Sequence, residues 1–147
     1  MPLCNATLGA EMTEPKETVL ENEYVTIWCY PSKGIIHHQF RRYVFGEPFR
    51  ELLMIGIEAF ENHRCSKWLS DDRNFGAILP EDKKWGDTVW RPRILKAGWK
   101  YWAMLLPKKT TGKMNIKKMV AQYEALGVCT QIHTSPEDAL RWLIDSK

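Results

Sequence analysis

CSKWLSDDRNFGAILPEDKKWGDTVWRPRILKAGWKYWAMLL, residues 65 to 106, places one long amphipathic stretch between two short apolar runs. The runs CSKWLS and YWAMLL read as buried strands. Between them, Pro80, Glu81 and Asp82 set a proline and two acids where a helix N-terminus favours both. Pro92 is expected to kink that helix or split it in two, and Gly98 to cap its end. Strands separated by a helix pair in parallel through a right-handed crossover. This unit decides the fold class, which is α/β with a parallel core.

The N-terminal flank adds an antiparallel element. In EYVTIWCY, Tyr24, Thr26, Trp28 and Tyr30 alternate with Val25, Ile27 and Cys29, the period of two expected of a strand. Pro31-Ser32-Lys33-Gly34 is turn chemistry, and GIIHHQFRRYV continues as the second strand of a β-hairpin. Pro48 suits a first helical turn. Phe49, Leu52, Leu53, Gly56, Ile57 and Phe60 then form one helical face reaching about His63. Gly56 lies on that face, where close approach to a sheet would account for it.

On the C-terminal flank, PKKTTGK reads as a loop. Residues 113 to 126 put Ile116, Met119, Val120 and Tyr123 on one helical face, and Gly127 ends that helix. VCTQI is a last strand. In SPEDALRWLI, Ser135 can cap a final helix, with Pro136 in its first turn and Asp138 completing a capping-box pattern. The expectation is a mixed sheet of about five strands, an antiparallel hairpin followed by parallel strands, covered by about four helices. Residues 1–20 show no sustained period and are expected to form a flexible arm, leaving 21–147 as a single domain.

The chain has 147 residues, 44% hydrophobic and 27% charged, as expected of one globular domain. No apolar run approaches the roughly 20 residues of a membrane helix, and the N-terminus lacks a signal peptide's basic start and apolar core. The expected location is the cytoplasm. Cys4, Cys29, Cys65 and Cys129 lie far apart with no C-x-x-C spacing, so free thiols are expected rather than a zinc site or a disulfide framework. Charge is unevenly spread. Residues 1 to 82 hold 8 basic and 13 acidic side chains, whereas residues 83 to 118 hold 11 basic ones against Asp87 alone. Such a block can attract anions or an acidic partner, or can be a set of solvated helix faces.

The run K-W-L-S-D-D-R-N, then P-E-D-x-x-W-x-x-x-x-W-x-P-R-x-x-x-A-G-W-K and the closing S-P-E-D-A-L-R-W-L, resembles the bacterial SpoIIAA-like proteins. The resemblance covers about residues 22 to 146 and implies the STAS-type fold of anti-anti-sigma factors. In those factors a serine at the start of the helix after the middle strand is phosphorylated to switch partner binding. Here residues 71 to 87 contain no serine, threonine or tyrosine, and Ser70 is expected to lie within the strand. The phospho-switch is therefore not expected.

Asp71 and Asp72 invite a reading as a catalytic pair, but neighbours on an extended chain point in opposite directions and do not share a proton. A strand-end structural role ranks first, partner recognition second and catalysis last. His37 and His38 face opposite sides of a strand for the same reason, and His63 and His133 add no metal-ligand spacing. No G-x-S-x-G, P-loop or G-x-G-x-x-G motif is present. No catalytic, cofactor or metal site is expected.

The tryptophans carry the sharper expectation. Five residues separate Trp85 from Trp90, about 140° on a straight α-helix, so one stripe can pack on the sheet while the other needs a neighbouring helix, a pocket or a partner. A kink at Pro92 can bring both inward, and ordinary core packing ranks first for these rings. After it, Trp85 and Trp90 with Arg91 and Arg93 are the candidates for an interface or pocket, Trp90 foremost. Nucleic acid is disfavoured, because the aromatics of YWAMLL read as buried. The expected function is a non-enzymatic regulatory or protein-interaction domain acting on a protein partner or on its own copies. The alternative is a carrier or sensor of a nonpolar small molecule or lipid.

Overall fold

The computed structural model describes residues 14–108 and 116–147. The elements run β1 (Glu17–Glu21), β2 (Val25–Tyr30), β3 (Ile35–Phe40), α1 (Glu47–Asn62), β4 (Lys67–Asp71), α2 (Pro80–Trp85), a π-helical turn (Gly86–Trp90), α3 (Arg91–Lys96), β5 (Tyr101–Leu105), α4 (Ile116–Ala125), β6 (Cys129–Ile132) and α5 (Pro136–Asp145). The strands form one six-stranded sheet in sequential order, antiparallel from β1 to β3 and parallel from β3 to β6. The α/β class, the hairpin and the parallel core stand as the sequence implies.

The sixth strand is β1, built from residues assigned above to the arm. Glu17 pairs with Cys29 and Glu21 with Thr26, with a register shift between Thr18 and Leu20. The segment ETVLE has little apolar period of its own, and only the ladder offered by β2 makes it a strand. Residues 1–13 of the expected arm lie outside the described residues, as does most of the PKKTTGK loop. The second strand also ends earlier than its sequence suggests. Arg41 donates its backbone N–H to Tyr24 O and closes the hairpin ladder, which leaves Arg41, Arg42 and Tyr43 in a loop.

Sequential strand order has a packing consequence. Every crossover advances in the same direction, so the right-handed rule places all the connecting helices on one face. The larger core accordingly joins α1, α3 and Tyr123 of α4 to Val25, Ile27, Ile36, Phe40 and Trp68 of the sheet. The opposite face packs Ile35, Leu69, Ala103 and Leu105 against Ala139, Leu140 and Leu143 of α5. Gly56 performs the expected close approach, since a Cβ there would lie 2.7 Å from Trp68 Cη2.

Local chemistry fixes the helix ends. Ser135 Oγ accepts from the Asp138 N–H at 3.2 Å. Gly98 (φ 102°) and Gly127 (φ 89°) take left-handed conformations after α3 and α4. The carbonyls at the end of α5 are met by a buried cation, Lys67, whose Nζ donates to Leu143 O and to Ser146 O. Burial lowers the pKa of this amine. Asp82, also buried, accepts from Gly46 N–H at 2.9 Å and from Arg50 Nε at 3.0 Å, tying the start of α2 to the start of α1.

Pro92 divides the second helical rod, and the division takes the form of the π turn. A proline cannot donate the α-helical bond to the carbonyl four residues back, and the ladder changes step, with Arg91 N–H bonded to Gly86 O. The wider turn brings residues five apart closer to one face than the α-helical 140° allows. Among the described residues no helix is long and apolar enough to cross a membrane.

Candidate functional site

Asp71 and Asp72 face opposite ways, as alternation demands, and each is committed to a different network. Asp71 is buried on the α5 face of β4. It accepts from Arg73 Nε at 2.9 Å, Arg73 Nη2 at 2.8 Å and Gln39 Nε2 at 3.2 Å. Burial alone would raise its pKa, but these hydrogen bonds and the Arg73 charge outweigh burial and hold the carboxyl below its ordinary range. Asp72 accepts from His38 Nε2 at 2.7 Å. The Trp68 indole N–H, which can only donate, lies 2.9 Å from His38 Nδ1. His38 Nδ1 is thus the acceptor and Nε2 carries the proton, so both ring nitrogens are used. Ser70, paired in register with His38, accepts from Trp102 Nε1 at 2.9 Å.

These bonds make a hydrogen-bonded floor at the ends of the strands. The loops after β4 and β5 are stitched together by Asp72 N–H to Leu105 O and Lys108 N–H to Arg73 O. Above that floor lies a cleft of about 430 Å³, outside the carboxyl ends of β3, β4 and β5, lined in part by Arg41, Arg42, Tyr43, Arg73, Phe75 and Lys108. Ligands of open α/β sheets bind at this end of the strands. Phe75 sits 4.4 Å from the ring of core Phe40 and 5.3 Å from that of Tyr43, which in turn neighbours Phe45. Tyr43 is 38% exposed and Phe45 56%. Aromatic packing therefore runs from the core out to the rim of the cleft. Tyr43 is held in place by its hydroxyl, which donates to Ala77 O at 2.8 Å, and by Gly76, where a Cβ would come within 3.0 Å of the ring.

The four cations of the cleft differ in how firmly they are held. Arg73 is locked onto Asp71, and that bond raises its own pKa further. Arg41 pairs with Glu21 and also donates to Thr26 Oγ1 from Nε at 3.1 Å and Nη2 at 2.8 Å. Arg42 pairs with Glu23, both of those side chains more than half exposed. Exposed pairs of this kind contribute about 1 kcal/mol or less and exchange partners readily. Lys108 is exposed at the rim.

The remaining expected interface residues are turned to internal use. Trp90 is half-buried, donates its indole N–H to Leu53 O at 3.1 Å, and meets Trp68 and Trp99 edge-on at 5.2 and 5.7 Å. The π turn swings the ring inward against α1 and the core. Trp85 is half-buried beside the Arg50 guanidinium, 6.0 Å from its ring. Arg91 reaches Asp87 at 3.5 Å and lies 5.9 Å from the Tyr123 ring. Arg93 makes two bonds to Glu61, at 2.9 and 2.7 Å, which keep both groups charged. A second, more open hollow of about 500 Å³ lies over that pair, bordered also by Arg64 and Lys96.

None of the expected site residues lines the cleft; Asp71 reaches it only through its bonds to Arg73. The residues that line it, Arg41, Arg42, Tyr43, Phe75 and Lys108, were not singled out from the sequence. The signal available was R-R-Y-V-F directly after an alternating segment, two arginines and two aromatics where the period of two fails. Among the described residues, no group of three or more His, Cys, Asp or Glu side chains comes together as metal ligands would. No family model, curated protein or solved structure matches the chain.

Proposed function

We propose that this chain is a non-enzymatic interaction domain that docks an acidic segment of a protein partner in the cleft at the carboxyl ends of β3, β4 and β5. One observation carries the reading: the cleft pairs two loosely held cations, Arg42 and Lys108, and the anchored Arg41 with the partly exposed ring of Tyr43, which Phe45 neighbours outside the lining. Aromatic anchors within a charged rim are the composition of protein-binding surfaces. The acids and imidazole nearest the cleft are already engaged with Arg73, Gln39 and Trp68, which favours binding over proton transfer. The resemblance to SpoIIAA-like proteins points to the same class of role. A carrier of nonpolar molecules would call for an enclosed apolar cavity, whereas both hollows described above are open and bordered by charge.

Selection of a displayed random-peptide library on the folded protein tests the proposal. Enriched peptides should be rich in Asp and Glu and should lose at least about tenfold in affinity, 1.4 kcal/mol, against Arg42→Glu/Lys108→Glu. Enrichment of neutral peptides, or acidic ones indifferent to the double variant, would remove the cleft from consideration.

A further inference from the structure

The sequence separates Cys29 from Cys65 by a hairpin and a helix, yet the fold sets them side by side. Cys29 lies in β2 opposite Ile36 of β3, and Ile36 pairs in turn with Trp68, three residues past Cys65. Gly34, at the start of β3, would place a Cβ 3.6 Å from Cys65 Cα, and its carbonyl accepts from the N–H groups of Ser66 and Lys67. Both thiols belong to the same buried core, and each is the largest influence on the other's ionisation.

Two ionisable groups lie near Cys29. Glu17 of the edge strand is the register partner of Cys29. His63, at the end of α1, lies 3.5 Å from the Glu17 carboxylate and bonds Ala59 O through Nδ1 at 3.0 Å. Those contacts raise the pKa of His63. The neighbouring Cys65, assisted by His63, draws the Cys29 thiol below its ordinary range against burial and the Glu17 charge, while Cys29 and burial push Cys65 well above its own. One sulfur is thereby the better nucleophile and the other remains a protonated partner beside it, the asymmetry found in reactive cysteine pairs.

We infer that Cys29 and Cys65 form a peroxide-sensitive dithiol, an oxidation site that closes to a disulfide within the folded domain. The Cys29 thiolate attacks one oxygen of a hydroperoxide; an S–O bond forms, the O–O bond breaks, and the departing alkoxide or hydroxide leaves as an alcohol or water after gaining a proton. Cys65 then attacks the Cys29 sulfenic sulfur; the S–S bond forms, the S–O bond breaks, and hydroxide leaves as water with the Cys65 proton. Two thiols are oxidised by two electrons and one peroxide is reduced. Access comes from the edge of the sheet, where β1 is a five-residue strand interrupted by the register shift at Thr18 and Leu20, the sort of element that opens locally without global unfolding.

The test uses the full chain with Cys4→Ser and Cys129→Ser, treated with hydrogen peroxide under native conditions. The intact mass should fall by two hydrogen atoms, and proteolysis should yield one peptide joining Cys29 to Cys65. The unfolding midpoint should rise by roughly 10 °C and return with a thiol reductant, since the crosslink closes a long loop. Adding Cys65→Ser should expose a dimedone-reactive sulfenic acid at Cys29, whereas Cys29→Ser should leave Cys65 unlabelled. Oxygen added without a crosslink, reaction only after urea unfolding, or preferential labelling of Cys65 would each overturn the inference. The mass and peptide map of the two-cysteine protein decide the matter even where the further variants fail to fold.

Discussion

His37 shows how one buried side chain imposes a pH dependence on the whole fold. Its Nδ1 lies 3.2 Å from the Tyr30 hydroxyl, and its Nε2 has no hydrogen-bond partner among the described residues. Burial depresses its pKa to about 3, and burial likewise raises Tyr30 to about 12. In the unfolded chain a histidine titrates near 6.5. Between about pH 6.5 and 3 the unfolded state therefore binds a proton that the native state refuses, and stability falls as pH drops through that window by up to about 1.4 kcal/mol per unit. His37→Gln should flatten most of this slope in urea unfolding at about pH 7 and about pH 5; an unchanged slope would assign it to other groups. Gly56 gives a second residue-scale expectation. Gly56→Ala gains about 1 kcal/mol of helix propensity, but its methyl meets the fully buried Trp68 ring at 2.7 Å. Overpacking costs about 1–3 kcal/mol, so the clash should win, with a net loss of about 1 kcal/mol read from the urea midpoint.

At the scale of elements, the rod from α2 to α3 depends on its π turn. Thr88 is exposed and, among the described residues, donates its hydroxyl to Lys84 O at 2.7 Å. Deleting it should convert the turn to α-helix and rotate Trp90 away from Leu53, Trp68 and Trp99. Loss of that ring from the core should cost about 3 kcal/mol, the scale of a large-to-small core change. Equal stability of the deletion variant would show that the π turn is incidental to packing. The last helix offers a graded comparison. Leu143→Ala removes a fully buried side chain and should cost about 3 kcal/mol, while Ser135→Ala removes a single cap and should cost about 1 kcal/mol.

For the whole molecule, binding and stability should separate in space. The cleft lies outside the carboxyl ends of the parallel strands, whereas the Cys29 and Cys65 pair lies toward their amino ends. Arg42→Glu/Lys108→Glu replaces exposed side chains held by weak ties, so the thermal midpoint should move by no more than about 2 °C while acidic-peptide binding is lost. A large fall in the midpoint would place these residues among the groups that hold the fold.

What the sequence determined by itself is what neighbouring residues decide together. The period of two from Val25 to Tyr30, the apolar face from Phe49 to Phe60, the capping Ser135 and the glycines at 34, 98 and 127 each rest on local backbone geometry and nearby hydrogen bonds. The strand at Glu17–Glu21 was hidden because its propensity is weak and its ladder is supplied by β2. The choice between core and surface for Trp90 stayed open in the sequence because a straight-helix projection cannot include a π turn. Asp71 and Asp72 were legible as opposed neighbours, but Arg73, Gln39 and His38 as their respective partners were not. Only tertiary structure joined Arg41 and Arg42 to Lys108, and Cys29 to Cys65. Such contacts arise from the order in which strands pair, which is set by burying apolar faces across the whole sheet rather than by any residue's neighbours in the chain.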